Sequence, residues 1–396
     1  MDAVLAVNAG SSSLKFGVYE RGAPHATLTG AIEGLEPGGS PVLKTQGEAP
    51  QRLAVDGRDE GAVFEQALEQ LTGWLSVHAA GWTLRAVAHR VVHGGERFTA
   101  PVRVDEQVLQ ALTALEPLAP LHQPHNLAGI RAFARVCPRL PQIACFDTAF
   151  HATLPEVERR FALPALPALD GVRRYGFHGL SYQYVTGALS ERTPHMVGRA
   201  LLAHLGNGAS VCAVQARRSV ATSMGFSALD GLMMGTRSGS VDAGVLLYLL
   251  RQGWNADELE DLLYRRSGLK GVSGLSADMR TLRASSEASA RQAIDLFTHR
   301  VLRECGAMVA VLGGLDVLAF TGGIGEHDAR LRATVCKGLG HVGVCIDADA
   351  NALAAGEHIT PIHARGSSVE VWVVPTDEGR VAAGEAWALL GAVATE

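Results

Sequence analysis

Residues 7–15, with the sequence VNAGSSSLK, carry groups that can bind phosphate. These groups belong to Asn8, Gly10, Ser11, Ser13 and Lys15. Gly10 can adopt backbone angles that other residues avoid, so consecutive N–H groups and hydroxyls can converge on phosphoryl oxygens while Lys15 supplies positive charge. The flanking apolar runs predict a hairpin with a phosphate cradle at its turn. An ordinary polar turn is the alternative, because turns favour glycine and serine in any case.

A second segment of the same kind lies in the other half of the chain. Residues 200–214 again form an apolar strand, a turn that contains Gly206, Asn207 and Gly208, and another strand. Each half thus has one hairpin able to face phosphate. A fold duplicated in this way would hold nucleotide phosphates in the cleft between its halves.

Two arginines lie in segments where a charged side chain is not expected to be simply exposed to water. Arg90 is inside a β-branched strand, where a guanidinium is costly to bury without an anionic partner. Arg237 lies in the small-residue loop GTRSGS. Arg90 could form a structural pair with a carboxylate, or it could clamp phosphate or carboxylate through two hydrogen bonds. Two such arginines suit a trigonal, highly charged transition state.

Three further side chains lie at strand ends or in glycine turns. Asp147 follows the short strand 143–145, and open α/β sheets place their ligands at the carboxyl ends of strands. It could orient an arginine or a metal-bound water. His178 and His204 are both predicted to occupy glycine turns, where a ligand can approach closely. Isolated histidines are usually structural, but this setting favours contact with a phosphoryl group.

Two segments near the carboxyl end point to a nucleotide and a metal. A strand at 317–320 opens into Gly322, Gly323 and Gly325, which is typical of close backbone approach to a nucleoside. Neither the G-x-G-x-x-G pattern nor a P-loop occurs in the chain. Asp377 and Glu378 follow the last strand, where a carboxylate could bind Mg²⁺. Helix capping by Asp377 is the alternative.

The elements that must position these residues alternate between strands and amphipathic helices, which predicts an α/β protein. Helices are predicted at 61–78 and 286–313, and a last strand at 369–375. A helix at 378–390 is predicted to fold back on the first domain, and 154–174 is the expected crossing between domains. At 396 residues, the chain is long enough for two domains.

Composition narrows the classes of function. The composition of 47% hydrophobic and 19% charged residues predicts a compact protein rather than a disordered one. A net charge of -5 gives no electrostatic basis for nucleic-acid binding. The first strand begins within four residues of Met1, and no apolar run reaches membrane-spanning length, so a cytoplasmic location is expected. Six cysteines without metal-ligand spacing are expected to be reduced packing residues.

Taken together, these motifs resemble those of the acetate kinase family, the short-chain acyl kinases of the sugar kinase, Hsp70 and actin superfamily. The matching motifs extend over nearly the whole chain and occur in the same order as in the family. The resemblance implies an α/β fold with a duplicated ribonuclease H-like domain and an active-site cleft between the two copies. The N-terminal domain would be residues 1–150 completed by the C-terminal helix 378–396, and the nucleotide-binding domain would be residues 151–377.

The resemblance also implies the reaction ATP + acetate ⇌ ADP + acetyl phosphate, catalysed by a homodimer. The implied metal cofactor is Mg²⁺, for which Mn²⁺ could substitute. Carried over residue by residue, the resemblance gives the metal set Asn8 and Glu378. It gives the catalytic set Arg90, Asp147, His178, His204 and Arg237, and the acyl-binding set Arg90, Val92, Leu121, Phe177 and Ala228. The nucleotide set is Ser11, Ser13, Lys15, His204, Asn207, Gly208, Asp278, Met279, Arg280, Gly323, Ile324 and Gly325.

This chain departs from the family's pattern at four places. Ala228 stands where the family has a proline in the acyl pocket, and Gln123 stands where the family has the asparagine of an Asn-Pro pair. Ser240 replaces the acidic residue that follows Arg-Ser-Gly, and Gly379 replaces the second of two paired glutamates. None of these changes removes a group that the resemblance places in the chemistry. They bear on acyl-chain preference and on the dimer.

Three alternatives to an acetate kinase remain at this stage. The first is a kinase for propionate or a somewhat larger acid. The second is an ATP-driven binding module like Hsp70, although such proteins carry a separate peptide-binding domain and this chain ends at Glu396. The third is a catalytically silent ATP-binding relative with a regulatory role. The intact catalytic and metal sets favour an enzyme.

Overall fold

The structure is a computed structural model that describes residues 1–10, 12–36, 38–55, 60–78 and 81–393. The chain divides into two compact units. The first comprises Met1–Ala149 and Asp377–Glu396, and the second comprises Phe150–Thr376. No helix in the described ranges is both long enough and apolar enough to cross a membrane.

An eight-stranded sheet forms the centre of the first unit. Its strands are β1 (Asp2–Ala9), β2 (Ser13–Glu20), β3 (Leu28–Glu33), β4 (Val42–Thr45), β5 (Gln51–Arg52), β6 (Thr83–Val91), β7 (Val102–Arg103) and β8 (Gln142–Phe146). The helices before the unit boundary are α1 (Glu60–His78), α2 (Glu106–Thr113) and α3 (Gln123–Val136), with a 3₁₀ turn at Glu116–Leu118. The strand order is β5-β4-β3-β2-β1-β6-β8-β7.

The core of the first unit follows from apolar residues on both faces of the central strands. Leu5, Val7 and Phe16 are buried in one cluster with Leu68 and Leu71 of α1. Helix α1 therefore covers one face of the sheet with its apolar side, as the spacing of residues 61–78 predicts. Burying a leucine of this kind contributes about 2 kcal/mol.

A six-stranded sheet forms the centre of the second unit. Its strands are β9 (Arg199–Leu205), β10 (Ala209–Gln215), β11 (Arg218–Thr222), β12 (Val317–Thr321), β13 (Thr360–Pro361) and β14 (Glu370–Val373). Its helices are α4 (Glu156–Arg159), α5 (Gly179–Ser190), α6 (Ala243–Arg251), α7 (Ala256–Arg265), α8 (Gly268–Ser273), α9 (Met279–Ala284), α10 (Ala288–Leu312), α11 (Gly322–His327), α12 (Ala329–Gly338) and α13 (Ala348–Leu353). Short 3₁₀ helices occupy Ala149–Thr153, Pro167–Leu169, Pro194–Val197 and Gly340–Val342.

The two sheets share one five-stranded plan. In the first, β3, β2 and β1 are antiparallel neighbours, and β1, β6 and β8 are parallel neighbours. In the second, β11, β10 and β9 are antiparallel, and β9, β12 and β14 are parallel. The same sequence of pairings therefore occurs twice, and the predicted duplicated α/β fold is confirmed.

The last helix, α14 (Glu378–Val393), returns to the first unit and packs against β1 and β6. Helix α10 lies within the predicted span 286–313, and β14 lies within 369–375. The glycines after β12 begin helix α11, with a positive φ at Gly322. That φ of 76° lets the chain turn from strand into helix beside the Leu205 backbone, where a Cβ would collide.

Candidate active site

The first predicted phosphate turn joins β1 and β2. Gly10 N–H donates to the Ser13 carbonyl at 2.8 Å, which closes the turn. Asn8 and Lys15 are opposite each other in the antiparallel register, and the Lys15 side chain is exposed. Ser11, which the sequence also places here, lies outside the described residues. The hairpin thus puts an amide and an ammonium at neighbouring positions beside the turn.

Arg90, near the end of β6, is the centre of a charged cluster in the first unit. Its Nε and Nη2 atoms donate to the two carboxylate oxygens of Asp147 at 3.1 and 2.5 Å. Its Nη1 atom donates to Asn8 Oδ1 at 3.3 Å, and its Nε lies 3.2 Å from a Glu378 oxygen. The structure therefore brings together four predicted residues that span the sequence from 8 to 378.

This cluster is largely shielded from solvent. The side chain of Arg90 is 20% exposed and that of Asp147 is 1% exposed. Burial by itself lowers the pKa of the Arg90 guanidinium, but the charges of Asp147 and Glu378 outweigh it, so the pKa is raised. The structural ion pair that the sequence left open for Arg90 is thus present. It fixes the guanidinium as a permanent cation in a defined orientation.

Neighbouring backbone is held by a residue that the sequence analysis missed. The buried side chain of Asn126, on α3, accepts from Val92 N–H at 3.0 Å and donates to the Ala9 carbonyl at 2.8 Å. It therefore ties the end of β6 to the end of β1. An asparagine inside a helical pattern gives no signal of this role, because its partners come from two other elements.

Helix capping by Asp377, the alternative to a metal role for this pair of carboxylates, is also observed. Asp377 Oδ1 accepts from Arg380 N–H at 2.9 Å and from Tyr19 OH at 2.7 Å. Glu378 begins α14 and its carboxylate turns to Arg90. A Cβ at Gly379 would overlap the Tyr19 hydroxyl and lie 3.0 Å from Tyr19 Cζ. Tyr19 thus occupies the space of a side chain at position 379, which explains the departure from paired glutamates.

The second unit contributes two stacked histidines. His178 caps the start of α5 with φ 58° and ψ 25°, a left-handed conformation that is uncommon outside glycine and worth attention at a functional site. The rings of His178 and His204 stack with centroids 4.2 Å apart and an interplanar angle of 20°. Both are half-buried. The second hairpin, β9 to β10, thus brings His204 against the start of α5.

Arg237 meets these histidines at the second phosphate turn. A Cβ at Gly208 would lie 3.2 Å from both His178 Nε2 and Arg237 Nη2. Glycine at this position therefore lets a guanidinium and an imidazole come close to the backbone of the turn. Nitrogen donors that converge in this way suit an anion.

The loop that carries Arg237 is fixed mainly by its backbone. Met234 N–H donates to the Arg237 carbonyl at 3.0 Å, and Ser238 N–H donates to Leu263 at 2.9 Å. Gly268, with φ 65°, packs so closely that a Cβ there would collide with the Met234 carbonyl. Arg237 Nη1 also donates to the Ala228 carbonyl at 2.6 Å. One nitrogen of the guanidinium is therefore held by a backbone carbonyl.

Hydroxyl groups that the sequence analysis missed support both rings. Ser210 Oγ lies 2.8 Å from His178 Nδ1, and Ser181 Oγ lies 2.8 Å from His204 Nδ1. Serine in a strand or a helix is too common to be a signal. Its importance here depends on the packing of α5 against β9 and β10.

Many of the predicted nucleotide residues line one cavity of about 930 Å³ in the second unit. They are Asn207, Asp278, Met279, Arg280, Gly323 and Ile324. Asp278 caps α9 and pairs with the exposed Arg280 at 2.8 Å; that hydrogen bond is the main reason the pKa of Asp278 is lowered. Arg283, which the sequence analysis missed, also borders the cavity and pairs with Asp328 at 3.0 Å.

The residues predicted to contact the acyl group divide between the units. Val92 and Leu121 belong to the first, whereas Phe177 and Ala228 belong to the second. Val92 and Phe177 are buried, and Ala228 is half-buried. Gln123, where the family has asparagine, is fully buried and donates to the His93 carbonyl at 3.0 Å. This substitution therefore fixes the backbone next to Val92.

A family model described as the Acetokinase family matches residues 3–384. The chain belongs to this family. It is 50% identical to an acetate kinase of Rhodopseudomonas palustris over 395 residues, which cover 98% of each chain. This membership confirms the sequence-based resemblance. Members of the family are phosphotransferases that act on a carboxyl group and use ATP with a divalent metal ion.

Solved structures of the acetokinase family have the same fold. The acetate kinase of Porphyromonas gingivalis has a TM-score of 0.89 at 35% identity, with 98% of this chain and 100% of that chain covered. A propionate kinase of Francisella tularensis has a TM-score of 0.88 at 34% identity, with 97% of this chain and 99% of that chain covered. Family members with this fold thus carry names for two different acids.

Proposed function

We propose that this acetokinase family member catalyses the reversible transfer of the γ-phosphoryl group of ATP to acetate. The observation that carries the proposal is the convergence of His178 Nε2 and Arg237 Nη2 on Gly208, where a Cβ would lie 3.2 Å from both atoms. In the proposal, residues 151–377 are the nucleotide-binding domain. Residues 1–150 with helix 378–396 form the other domain. The nucleoside occupies the cavity lined by Asp278 and Gly323.

In this reaction, a carboxylate oxygen forms a bond to the γ-phosphorus, and the bond from that phosphorus to the bridging oxygen of ADP breaks. An acyl carboxylate is already an anion, so no general base is needed to remove a proton. The protein must align the two anions and stabilise the charge that spreads over the transferring phosphoryl group. Arginines and N–H donors are suited to this task.

The proposed roles follow from charge and position. Arg90, a cation oriented by Asp147, binds the acyl carboxylate, with Val92, Leu121, Phe177 and Ala228 around the acyl chain. Arg237, His178 and His204 donate to the phosphoryl oxygens. Ser11, Ser13 and Lys15 on the first hairpin, and Asn207 and Gly208 on the second, contact the phosphates of ATP. Met279, Arg280, Ile324 and Gly325 complete the nucleoside site.

The oxygen groups around Arg90 fit a hard divalent cation. The described residues contain no cluster of three or more His, Cys, Asp or Glu side chains able to hold a metal. Mg²⁺ typically binds one or two protein oxygens and completes its shell with water and phosphate, which matches Asn8 and Glu378. We propose Mg²⁺ here, with Mn²⁺ as a substitute. Such an ion neutralises phosphate charge when bound.

For the metal role, the expected result is that Glu378→Ala needs a higher Mg²⁺ concentration for half-maximal rate, by about tenfold, because a carboxylate ligand is lost. The measurement is initial rate against Mg²⁺ at fixed ATP. Glu106→Ala, which removes an exposed carboxylate of the same unit, is the matched control and should keep the wild-type curve. An unshifted curve for Glu378→Ala would remove this residue from the metal site.

The activity is tested by trapping acyl phosphate as hydroxamate with ATP and formate, acetate, propionate or butyrate in turn. We expect acetate to give the highest kcat/KM. Absence of product with every acid would contradict an acyl kinase and support the silent ATP-binding relative instead. Product with propionate in clear excess over acetate would make the chain a propionate kinase.

A second acid, propionate, is favoured by Ala228. A methyl group in place of the family's proline ring leaves space, and a buried methylene contributes about 0.8 kcal/mol. Propionate should therefore have a kcat/KM within about tenfold of that of acetate, since one methylene is distinguished by only 1 to 3 kcal/mol. Ala228→Pro should penalise propionate more than acetate, whereas Ala228→Gly should not.

The acetate rate of Ala228→Pro is the internal control, because Arg237 donates to the carbonyl of residue 228. The loss on acetate shows how far the change disturbs Arg237, and only the additional loss on propionate reports a smaller pocket. Equal losses, or a wild-type preference for acetate of more than about a hundredfold, would show that position 228 does not set chain length.

A homodimer and a cytoplasmic location are also part of the proposal. Helix α6 exposes large apolar side chains, namely Val245, Leu247, Tyr248 and Leu250. An exposed apolar helix of this kind supports association with a second copy. Sedimentation equilibrium should give twice the mass of one chain.

A further inference from the structure

Two pairs of hydroxyl groups end on the Nδ1 atoms of the stacked histidines. In the tyrosine relay, Tyr182 OH lies 2.5 Å from Ser210 Oγ, which lies 2.8 Å from His178 Nδ1. Tyr182 and Ser210 have no exposed surface. Buried polar atoms satisfy their hydrogen bonds within the protein, so the direction of each proton along the relay is constrained.

The threonine relay has the same form. Thr376 Oγ1 donates to Ser181 Oγ at 2.9 Å, and Ser181 Oγ lies 2.8 Å from His204 Nδ1. Ser181 is also fully buried. A serine that accepts one hydrogen bond from the outer hydroxyl still has its own proton to donate, and the ring nitrogen is the acceptor within reach.

The same direction is available to the tyrosine relay. With the Tyr182 phenol as donor to Ser210 Oγ at 2.5 Å, the serine keeps its own proton for His178 Nδ1 at 2.8 Å.

We propose that the two relays hold both imidazoles in the tautomer that carries its proton on Nε2. Their hydroxyl residues, Tyr182, Ser210, Thr376 and Ser181, are positioning residues that act through the rings. The inference rests on the proposed function, in which the Nε2 atom of His178, beside Gly208, donates to phosphoryl oxygens.

The tautomer matters because the rings are close. Two imidazolium cations stacked with centroids 4.2 Å apart would repel each other, so the rings cannot both rely on a positive charge. A neutral imidazole donates only through its protonated nitrogen, and the other nitrogen presents a lone pair. With the proton on Nδ1, that lone pair would face an anion. The relays therefore keep N–H donors where charge develops.

The direct test is ¹⁵N NMR of the full-length chain labelled in histidine, without substrate, at a pH where the rings are neutral. His178→Asn and His204→Asn identify the two ring signals. We expect both wild-type rings to be protonated at Nε2. Ser210→Ala should shift His178 alone toward a tautomer mixture, and Ser181→Ala should shift His204 alone. Ser190→Ala, on the same helix with its hydroxyl on a backbone carbonyl, should shift neither.

Kinetics give the second arm. Ser210→Ala and Ser181→Ala should each lower kcat about tenfold, part of the loss expected for a whole donor, with KM for ATP and acetate nearly unchanged. Tyr182→Phe keeps the ring volume and removes only the hydroxyl, so it serves if Ser210→Ala does not fold. Tyr182→Phe should shift the His178 ring toward a tautomer mixture, by a smaller amount than Ser210→Ala does.

Each outcome decides the proposal. Wild-type rings protonated at Nδ1, or ring signals that do not respond to the serine variants, would overturn it. Shifted tautomers with unchanged kcat would overturn the positioning role. The NMR arm needs no activity, so a chain that phosphorylates no carboxylate would refute the proposed function while the tautomers could still be read.

Discussion

Arg237→Ala should lower kcat by at least about 10³-fold and leave the fold intact. The guanidinium lies beside Gly208, where the transferring phosphoryl group is proposed to bind, and a phosphoryl-stabilising arginine can contribute about 10³- to 10⁵-fold in rate. The variant loses the bond to the Ala228 carbonyl, but the backbone bonds at Met234 and Ser238 remain, so the loop should keep its shape. Steady-state kcat, with thermal unfolding as the measure of fold, checks both statements.

Arg265→Ala is the matched control for charge. Arg265 belongs to the same unit, is 58% exposed and pairs only at the surface with Asp261. Its removal should leave kcat within about twofold, since exposed pairs contribute little. A wild-type rate for Arg237→Ala would remove this arginine from the mechanism. A large loss in the Arg265 control would indicate a general charge effect instead.

The elements could be predicted from sequence because their signals are local. Alternating and helical apolar spacing places α1 and α10 within a residue or two of their observed bounds. Glycines beside chemically active side chains mark both hairpin turns. The helix at Gly322–His327 gives no such signal, because a glycine can begin a helix through a positive φ as well as belong to a turn.

The partners of the site residues could not be predicted in the same way. Thr376 meets Ser181 across 195 positions in sequence, a pairing set by the packing of α5 beside the carboxyl ends of the parallel strands. The left-handed φ of His178 is likewise a property of the folded turn. A residue type and its spacing can suggest that a histidine serves chemistry. They do not say which hydroxyl will orient it, because many serines and threonines have the same local pattern.

Arg90 poses a different question, since its ion pair with Asp147 could be structural or could serve the reaction. Asp147 is 1% exposed, and removing its partner leaves a buried charge. Arg90→Ala should therefore destabilise the protein by about 3 kcal/mol, as expected when one member of a buried pair is lost. It should also lower kcat by at least about 10³-fold, because the proposed carboxylate-binding cation is gone. The loss of stability and the loss of activity must therefore be separated by a second variant.

The double variant Arg90→Ala/Asp147→Asn separates them. Asparagine has nearly the same shape as aspartate without the charge, so the double variant should regain most of the stability that Arg90→Ala loses. Activity should stay at least about 10³-fold below wild type, because no neutral neighbour replaces the guanidinium. Denaturant unfolding and kcat are measured on the wild type, both single variants and the double variant. If activity returned together with stability, the arginine would serve only to neutralise Asp147, and its place in substrate binding would be lost.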